Sequence, residues 1–333
     1  LECGAGPRVA TEGQLMTKPP LAEFGVIVTC SPRDLWMAKG CCASVRHFMP
    51  DAPICLLYDG PGSGAASLAR TYAASVLCWE NVGSDVLRQK SFGYGLTKMI
   101  AFWESPFERF LLIDADTVVL GDFRTVADFS SAEIMIDLPK QTCTPSEIAH
   151  WFFDPEKLSI LDSQFDWSDR KYVCTGVIRA TSELFDLSDY LSLLSIARND
   201  PLLFKFGEMG LLNYLIFRGA DRGEFRLQQA PIQLLANSYT YDALAQRIDI
   251  PRFGRDEIGM RDGSAVVLHY AGVRPYTFNQ SVFPEPMTYF RRQHRMNCRK
   301  AIGTRDLPLR FEEYLLRHPR AKRLLRPLVG NRG

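Results

Sequence analysis

Apolar residues fall in short runs separated by polar, Gly- or Pro-bearing turns, and these runs alternate with stretches of helical period. Gly25–Cys30 is a continuous apolar run suited to a buried strand, and Asp34 can cap a helix reaching Phe48. Ile54–Tyr58 predicts a second strand, ended by Asp59-Gly60, followed by a helix near Ala66–Ala74 and a third strand over Ser75–Trp79. Thr97–Glu104 reads as a helix and Phe110–Ile113 as a strand emptying into Asp114. Such alternation predicts an α/β fold, a mostly parallel central sheet with helices on both faces. The second half is less regular. Glu133–Asp137 and Val173–Arg179 read as strands, Ser182–Ile196 and Glu208–Phe217 as helices. Leu184, Leu187, Leu191 and Leu194 keep a helical spacing that marks a core stripe. Ala265–His269 is a last short strand before a Gly/Pro loop, and no internal repeat is present.

With 333 residues, 46% hydrophobic and 23% charged, the chain has ordinary globular values, which exclude wholesale disorder and fibrous repeats. No apolar run approaches the roughly 18–20 residues of a spanning helix. A net charge of +1 argues against nucleic acid as a partner. That balance hides a division: Arg291–Gly333 carries +10 and the preceding residues −9. The expected organisation is therefore a loose arm over residues 1–22, one α/β domain over 23–290, and a basic tail over 291–333. In the tail Phe311, Tyr314, Leu315, Leu324, Leu325 and Leu328 alternate with Arg310, Arg317, Arg320, Lys322, Arg323 and Arg326. This suits attachment to an anionic membrane surface, or a helix packed back on the acidic body. Pro308, Pro319 and Pro327 argue against one long helix. Nine cysteines, most inside apolar runs and without a CxxC pair, predict a reducing, cytoplasmic setting. No basic-then-apolar leader follows Leu1.

The candidate chemistry begins at Asp114-Ala115-Asp116. Two carboxylates just past a strand end repel each other unless a cation joins them, so the pair predicts a hard divalent metal. His269 follows another apolar strand, with Gly272 permitting close backbone approach and Arg274 able to bind phosphate. Two carboxylates, one imidazole and phosphate oxygens suit Mn²⁺, with Mg²⁺ as the alternative. A GxGxxA segment (Gly60, Gly62, Ala65) leaves a weaker dinucleotide-binding reading open, though it follows the second strand and contains Pro61. The P-loop, nucleophile-elbow and HExxH patterns are absent.

In order along the chain, VTCSPRDLWMAKG, GLTKMIAFWESPFERFLLIDADTVVLGDF, YVCTGVI, GEMGLLNYL and HYAGVRPY resemble the blocks of the family 8 retaining glycosyltransferases of GT-A fold, the group of glycogenin and the bacterial lipopolysaccharide galactosyltransferases. The resemblance spans roughly Phe24 to Pro286 and implies a nucleotide-sugar donor, UDP-linked, and a carbohydrate or glycoconjugate acceptor. It implies that Asp114, Asp116 and His269 hold Mn²⁺, that Gly272 and Arg274 meet the diphosphate, and that Thr29 and Ser31 line the uridine pocket. Trp36 and Met37 share the place of the base-stacking tyrosine. Lys98 would reach the donor sugar or phosphate, Asp137 the sugar hydroxyls, and Glu208 the reacting centre as nucleophile or electrostatic support. Two departures stand out: Cys174 where the family has Asn, and Met209 where it has Gln. Both remove side-chain hydrogen bonds beside the sugar, which keeps a catalytically silent nucleotide-sugar binder as an alternative.

Overall fold

The structure, a computed structural model, describes residues 21–93, 95–126, 131–251, 257–277, 279, 281–298 and 307–318. Most of the expected N-terminal arm lies outside them, as do Pro319, Arg320 and all later residues of the tail pattern. Twelve strands are present among the described residues: β1 Ala22–Cys30, β2 Ile54–Tyr58, β3 Ser75–Cys78, β4 Phe107–Asp114, β5 Thr117–Leu120, β6 Ile134–Asp137, β7 Val177–Thr181, β8 Leu227–Ala230, β9 Gln233–Leu235, β10 Ile248–Asp249, β11 Gly259–Met260 and β12 Val266–His269. The helices are α1 Leu35–Phe48, α2 Gly62–Tyr72, α3 Asp85–Lys90, α4 Ala101–Glu104, α5 Phe123–Val126, α6 Pro145–Trp151, α7 Pro155–Leu161, α8 Leu187–Asn199, α9 Glu208–Asp221, α10 Tyr241–Arg247, α11 Glu285–Asn297 and α12 Leu307–Arg317.

A seven-stranded sheet in the order β3-β2-β1-β4-β7-β6-β8 forms the centre, and the expected mostly parallel α/β architecture is what the chain adopts. Strands β1 to β4 run parallel, β7 antiparallel to both its neighbours, and β6 parallel to β8. The central strands are buried on both faces, which is why they read as unbroken apolar runs. Val26, Val28, Leu111 and Ile113 enter one core, and Ile27, Phe110 and Leu112 the other. The first core packs against α1, α2, α11 and a second sheet ordered β5-β12-β9. The second packs against α4, α6 to α9 and the 3₁₀ turn Leu96–Ile100.

Several local expectations are revised. The helix expected over Thr97–Glu104 divides into that 3₁₀ turn and α4. The strand expected from Val173 begins only at Val177, after irregular chain that turns Thr175 toward α9. The helix expected from Ser182 starts at Leu187, where the Asp186 side chain accepts from the Asp189 amide. Asp34 sits at the N-cap of α1 without a side-chain cap bond, its carboxylate turned instead to Ser31 and Arg274.

Helix α11 continues through position 290 and lies close on α1: a Cβ on Gly40 would stand 2.5 Å from Met287 Sδ. Arg291, counted with the basic tail, is only 1% exposed. It donates to Glu313 at 2.5 Å and Glu312 at 2.8 Å on α12, and Glu312 also pairs with Lys39 of α1 at 2.5 Å. Part of the tail's charge is thus neutralised inside the fold. No described helix is long and apolar enough to cross a membrane.

Candidate active site

Strand order reverses between β1 and β4, and Thr29 is in register with Asp114 at their carboxyl ends. Open α/β sheets bind ligands at such a switch point. The chain turns there through Ala115, whose amide donates to the Thr29 carbonyl at 2.9 Å, and enters β5. Antiparallel pairing of β5 with β12 sets Thr117 opposite His269, and the Asp116 carbonyl accepts from the Tyr270 amide at 3.0 Å. Two residues near in sequence and one far away are thereby brought together. Ligand atoms of Asp114, Asp116 and His269 all lie within 4.8 Å of one another, a spacing one divalent cation can bridge.

The imidazole is oriented from behind. His269 Nε2 lies 3.3 Å from an Asp116 carboxylate oxygen and 3.9 Å from one of Asp114. Its Nδ1 is 3.0 Å from Gln233 Oε1, an outer partner of the kind that fixes the ring of a metal-binding histidine. Gln233 also donates to the Cys174 carbonyl at 3.2 Å, and its own amide donates to Asp137 Oδ1 at 3.1 Å. Asp137 is tied to the start of β9 by the Ile232 and Gln233 amides. Gly176 leaves room for the ring, since a Cβ there would stand 2.1 Å from His269 Cε1.

Lys98 forms the other wall. Its Nζ, on a side chain 5% exposed, reaches Glu208 at 2.8 Å, Asp114 at 2.9 Å and the Thr175 carbonyl at 2.9 Å. Thr175 Oγ1 donates to the same Glu208 oxygen at 3.1 Å. Burial alone would lower the ammonium's pKa, but the carboxylates of Asp114 and Glu208 outweigh it and raise it. Burial likewise raises the Asp114 carboxyl, against Lys98 and His269. Asp116 goes the other way: despite burial, His269, Arg274 and Lys98 hold it below the usual range. Burial disfavours charge on His269, yet Asp116 and Cys174 raise its pKa well above the ordinary value. Cys174 Sγ stands 3.7 Å from Nδ1.

Across the mouth, Gly272 takes φ +79°, and Arg274 donates to Asp34 at 3.0 Å over the sulfur of Met37 at 3.8 Å. Ser31 donates to the other Asp34 oxygen at 2.8 Å. Thr29 Oγ1 is buried with no hydrogen-bond partner among the described residues. Met37 is fully buried, and Trp36 is sandwiched between Tyr276, stacked at 5.3 Å, and the Arg291 guanidinium at 4.6 Å. Neither offers a free face as it stands, so a base stacking on Trp36 has to displace Tyr276 or Arg291.

Sequence reasoning missed Gln233, Thr175, the packing use of Gly176, and an exposed aromatic pair of which Phe206 stands two residues before Glu208. Trp151 at 45% exposure and Phe206 at 57% have ring centroids 5.1 Å apart. The GxGxxA segment has other uses: Gly64 lies where a Cβ would be 2.5 Å from the Tyr58 hydroxyl, and the Gly62 amide at the start of α2 donates to Glu80. A protein carboxylate thus holds the place a pyrophosphate would need.

The chain matches no protein-family model and no curated protein sequence. Among solved structures it is similar to the bifunctional glycosyltransferase WbbM in its apo form, at 12% identity and TM-score 0.52, over 85% of this chain and 52% of that one. It is similar to the galactosyltransferase LgtC in complex with donor and acceptor sugar analogues, at 14% identity and TM-score 0.51, over 80% and 95%. A third is the apo glycosyltransferase GlyE of Streptococcus pneumoniae TIGR4, at 13% identity and TM-score 0.51, over 82% and 60%. The chain spans about half the length of WbbM. Its structural neighbours are glycosyltransferases, and the fold it shares with them is GT-A.

Proposed function

We propose that this chain is a metal-dependent glycosyltransferase, moving a hexosyl unit from a UDP-sugar to a sugar or glycoconjugate acceptor with retention of configuration. The observation that carries the reading is the meeting of Asp114, Asp116 and His269 with the Lys98–Glu208 pair at the switch point of the sheet. Carboxylates and one imidazole fit Mn²⁺, or Mg²⁺, and Gln233 orients the imidazole as such a site needs. When bound, the cation supplies charge stabilisation to the diphosphate as the sugar–phosphate bond breaks.

The chain's own residues do the rest. Arg274 exchanges Asp34 for a phosphate oxygen, and Gly272 lets the backbone approach the diphosphate. Thr29 and Ser31 meet the nucleoside. Lys98 holds its proton through the reaction and supports the departing negative charge. Glu208, held by Lys98 and Thr175, acts as a fixed negative charge beside the anomeric centre rather than as a nucleophile. The acceptor arrives over the Trp151–Phe206 surface, whose rings suit the apolar face of a pyranose.

Calorimetric titration with UDP, with and without Mn²⁺, tests the reading. Metal-dependent binding lost in Asp116→Ala supports it, and equal binding by that variant refutes the metal role. The silent-binder reading is favoured by Cys174 and Met209, and slow Mn²⁺-dependent hydrolysis of a UDP-sugar excludes it. All eight described cysteines are free, which supports a cytoplasmic setting. Phe311 and Tyr314, each 49% exposed on α12, support peripheral attachment to anionic membranes. Co-sedimentation with anionic vesicles that survives removal of residues 319–333 would count against the basic tail.

A further inference from the structure

Helix α12 grips the loop that carries Arg274. Its Glu313, 2% exposed, accepts from the Thr277 amide at 3.1 Å and the Thr277 hydroxyl at 2.8 Å, while also pairing with Arg291 at 2.5 Å. One turn further on, the Arg317 guanidinium lies 4.1 Å from the centroid of Tyr276. Tyr276 in turn stacks on Trp36, with planes 8° apart, and Trp36 rests on Arg291. Four side chains from α12, the loop, α1 and α11 thus form one continuous column in which a cation caps each end of a ring pair. The Tyr276 amide donates to the Arg274 carbonyl at 2.8 Å, so holding Tyr276 and Thr277 also fixes the backbone of Arg274. Arg274 itself lies near enough to Asp116 to act on its carboxylate.

We propose that Glu313 and Arg317 are positioning residues: α12 clamps the Gly272–Thr277 loop so that Arg274 is presented to the diphosphate of the donor. The inference rests on the proposed role of Arg274 and adds to it a helix that touches neither metal ligands nor reacting atoms. Without the clamp the loop visits the competent position for a fraction of the time, and nucleotide affinity falls by that fraction. Metal affinity in the absence of nucleotide should not fall, because the turn from β4 to β5 and the strand β12 set Asp114, Asp116 and His269, and withdrawing the Arg274 charge from Asp116 favours a cation there if it acts at all.

The test uses the full chain, with Mn²⁺ alone and UDP plus Mn²⁺ as probes. For Glu313→Ala the Kd for UDP with Mn²⁺ is expected to rise about tenfold, the fraction a loop free nine-tenths of the time would give. The Kd for Mn²⁺ alone should not rise. Glu313→Gln, which keeps an acceptor for Thr277, should recover most of the loss. Hydrogen–deuterium exchange over residues 272–277, read without ligand, should quicken in Glu313→Ala and in Arg317→Ala. Wild-type nucleotide affinity and wild-type exchange in Glu313→Ala overturn the proposal. Should that variant fail to fold, Arg317→Ala decides, because its side chain is exposed, and unaltered exchange and affinity there overturn it equally. If the wild type binds no UDP with Mn²⁺, the proposed function fails, while the exchange measurement still judges the clamp.

Discussion

Gly176→Ala adds one methyl group at the point where the chain enters β7 behind the candidate metal site. That carbon would stand 2.1 Å from His269 Cε1, 2.4 Å from Nδ1 and 2.8 Å from Nε2. Carbon atoms in ordinary contact sit about 3.5 Å apart, so the ring or the strand has to yield by roughly 1.4 Å. The ring cannot do so cheaply. It is 3% exposed, its Nδ1 faces Gln233 at 3.0 Å and its Nε2 faces Asp116 at 3.3 Å. A shift of that size breaks both contacts and exceeds the ~0.2 Å tolerance of a metal–ligand bond several times over. We expect a stability loss of about 1–3 kcal/mol, as for other overpacked interiors. Mn²⁺ affinity should fall at least about tenfold, as when an outer partner of a ligand is lost. Electron paramagnetic resonance titration of free Mn²⁺ and thermal melting read the two effects. In a His269→Ala background the ring is gone, and adding Gly176→Ala should cost little further stability, a non-additive cycle. A Gly176→Ala variant that binds Mn²⁺ as the wild type does, or an equal stability cost in both backgrounds, would refute the packing argument.

Other outcomes follow from the same site. Lys98→Met leaves the Asp114 and Glu208 carboxylates without their shared cation, so we expect donor hydrolysis to be lost and stability to fall by about 3–5 kcal/mol in denaturant unfolding. His269 of the metal-free protein has a raised pKa, so a proton has to leave before the nitrogen can bind a cation. Mn²⁺ affinity should therefore rise with pH by about tenfold per unit until that pKa is passed, and calorimetry on His269→Ala should show that slope reduced. Burial pushes the Cys41 thiol up to about 12, whereas Cys174 is partly exposed beside His269, so a thiol reagent at neutral pH should leave Cys41 intact and label Cys174. Mass spectrometry should find Cys174 protected by UDP with Mn²⁺. Trp151→Ala should raise the acceptor KM several-fold while leaving UDP binding with Mn²⁺ unchanged; the reverse pattern would remove Trp151 from the acceptor side.

The strands of the first half were legible because β2 and the inner stretches of β1 and β4, Val26–Val28 and Phe110–Ile113, are buried on both faces and must be apolar there, while the polar starts of β1 and β4 at Glu23 and Glu108 escaped the reading. The strand end at Asp114 was legible for the same reason, as the place where an apolar run meets two carboxylates. Strands β8 and β9 were not, because LQQA and QLL keep polar side chains that only tertiary partners satisfy: Gln229 at the Asp137 and Lys171 carbonyls, and Gln233 at His269. The short helices α3, α6 and α7 have too few turns to show a period; their starts rest on caps at Ser84 and Asp154 and on a capping box between Thr144 and Glu147.

By itself the sequence determined the layered α/β architecture, the position of the paired carboxylates and the polarised charge. Local pattern and composition are properties of the chain, and burial on both sheet faces writes them openly. Only the tertiary structure decided which distant residues complete the site. Pairing of β5 with β12 carried His269 to Asp116, and Gly176 made space for its ring. It also decided what the basic segment does at its start. Arg291 is counted with the tail's charge, but folding of α12 onto α1 and α11 buries it against Glu313, a pairing across 22 residues that no charge sum along the chain can contain.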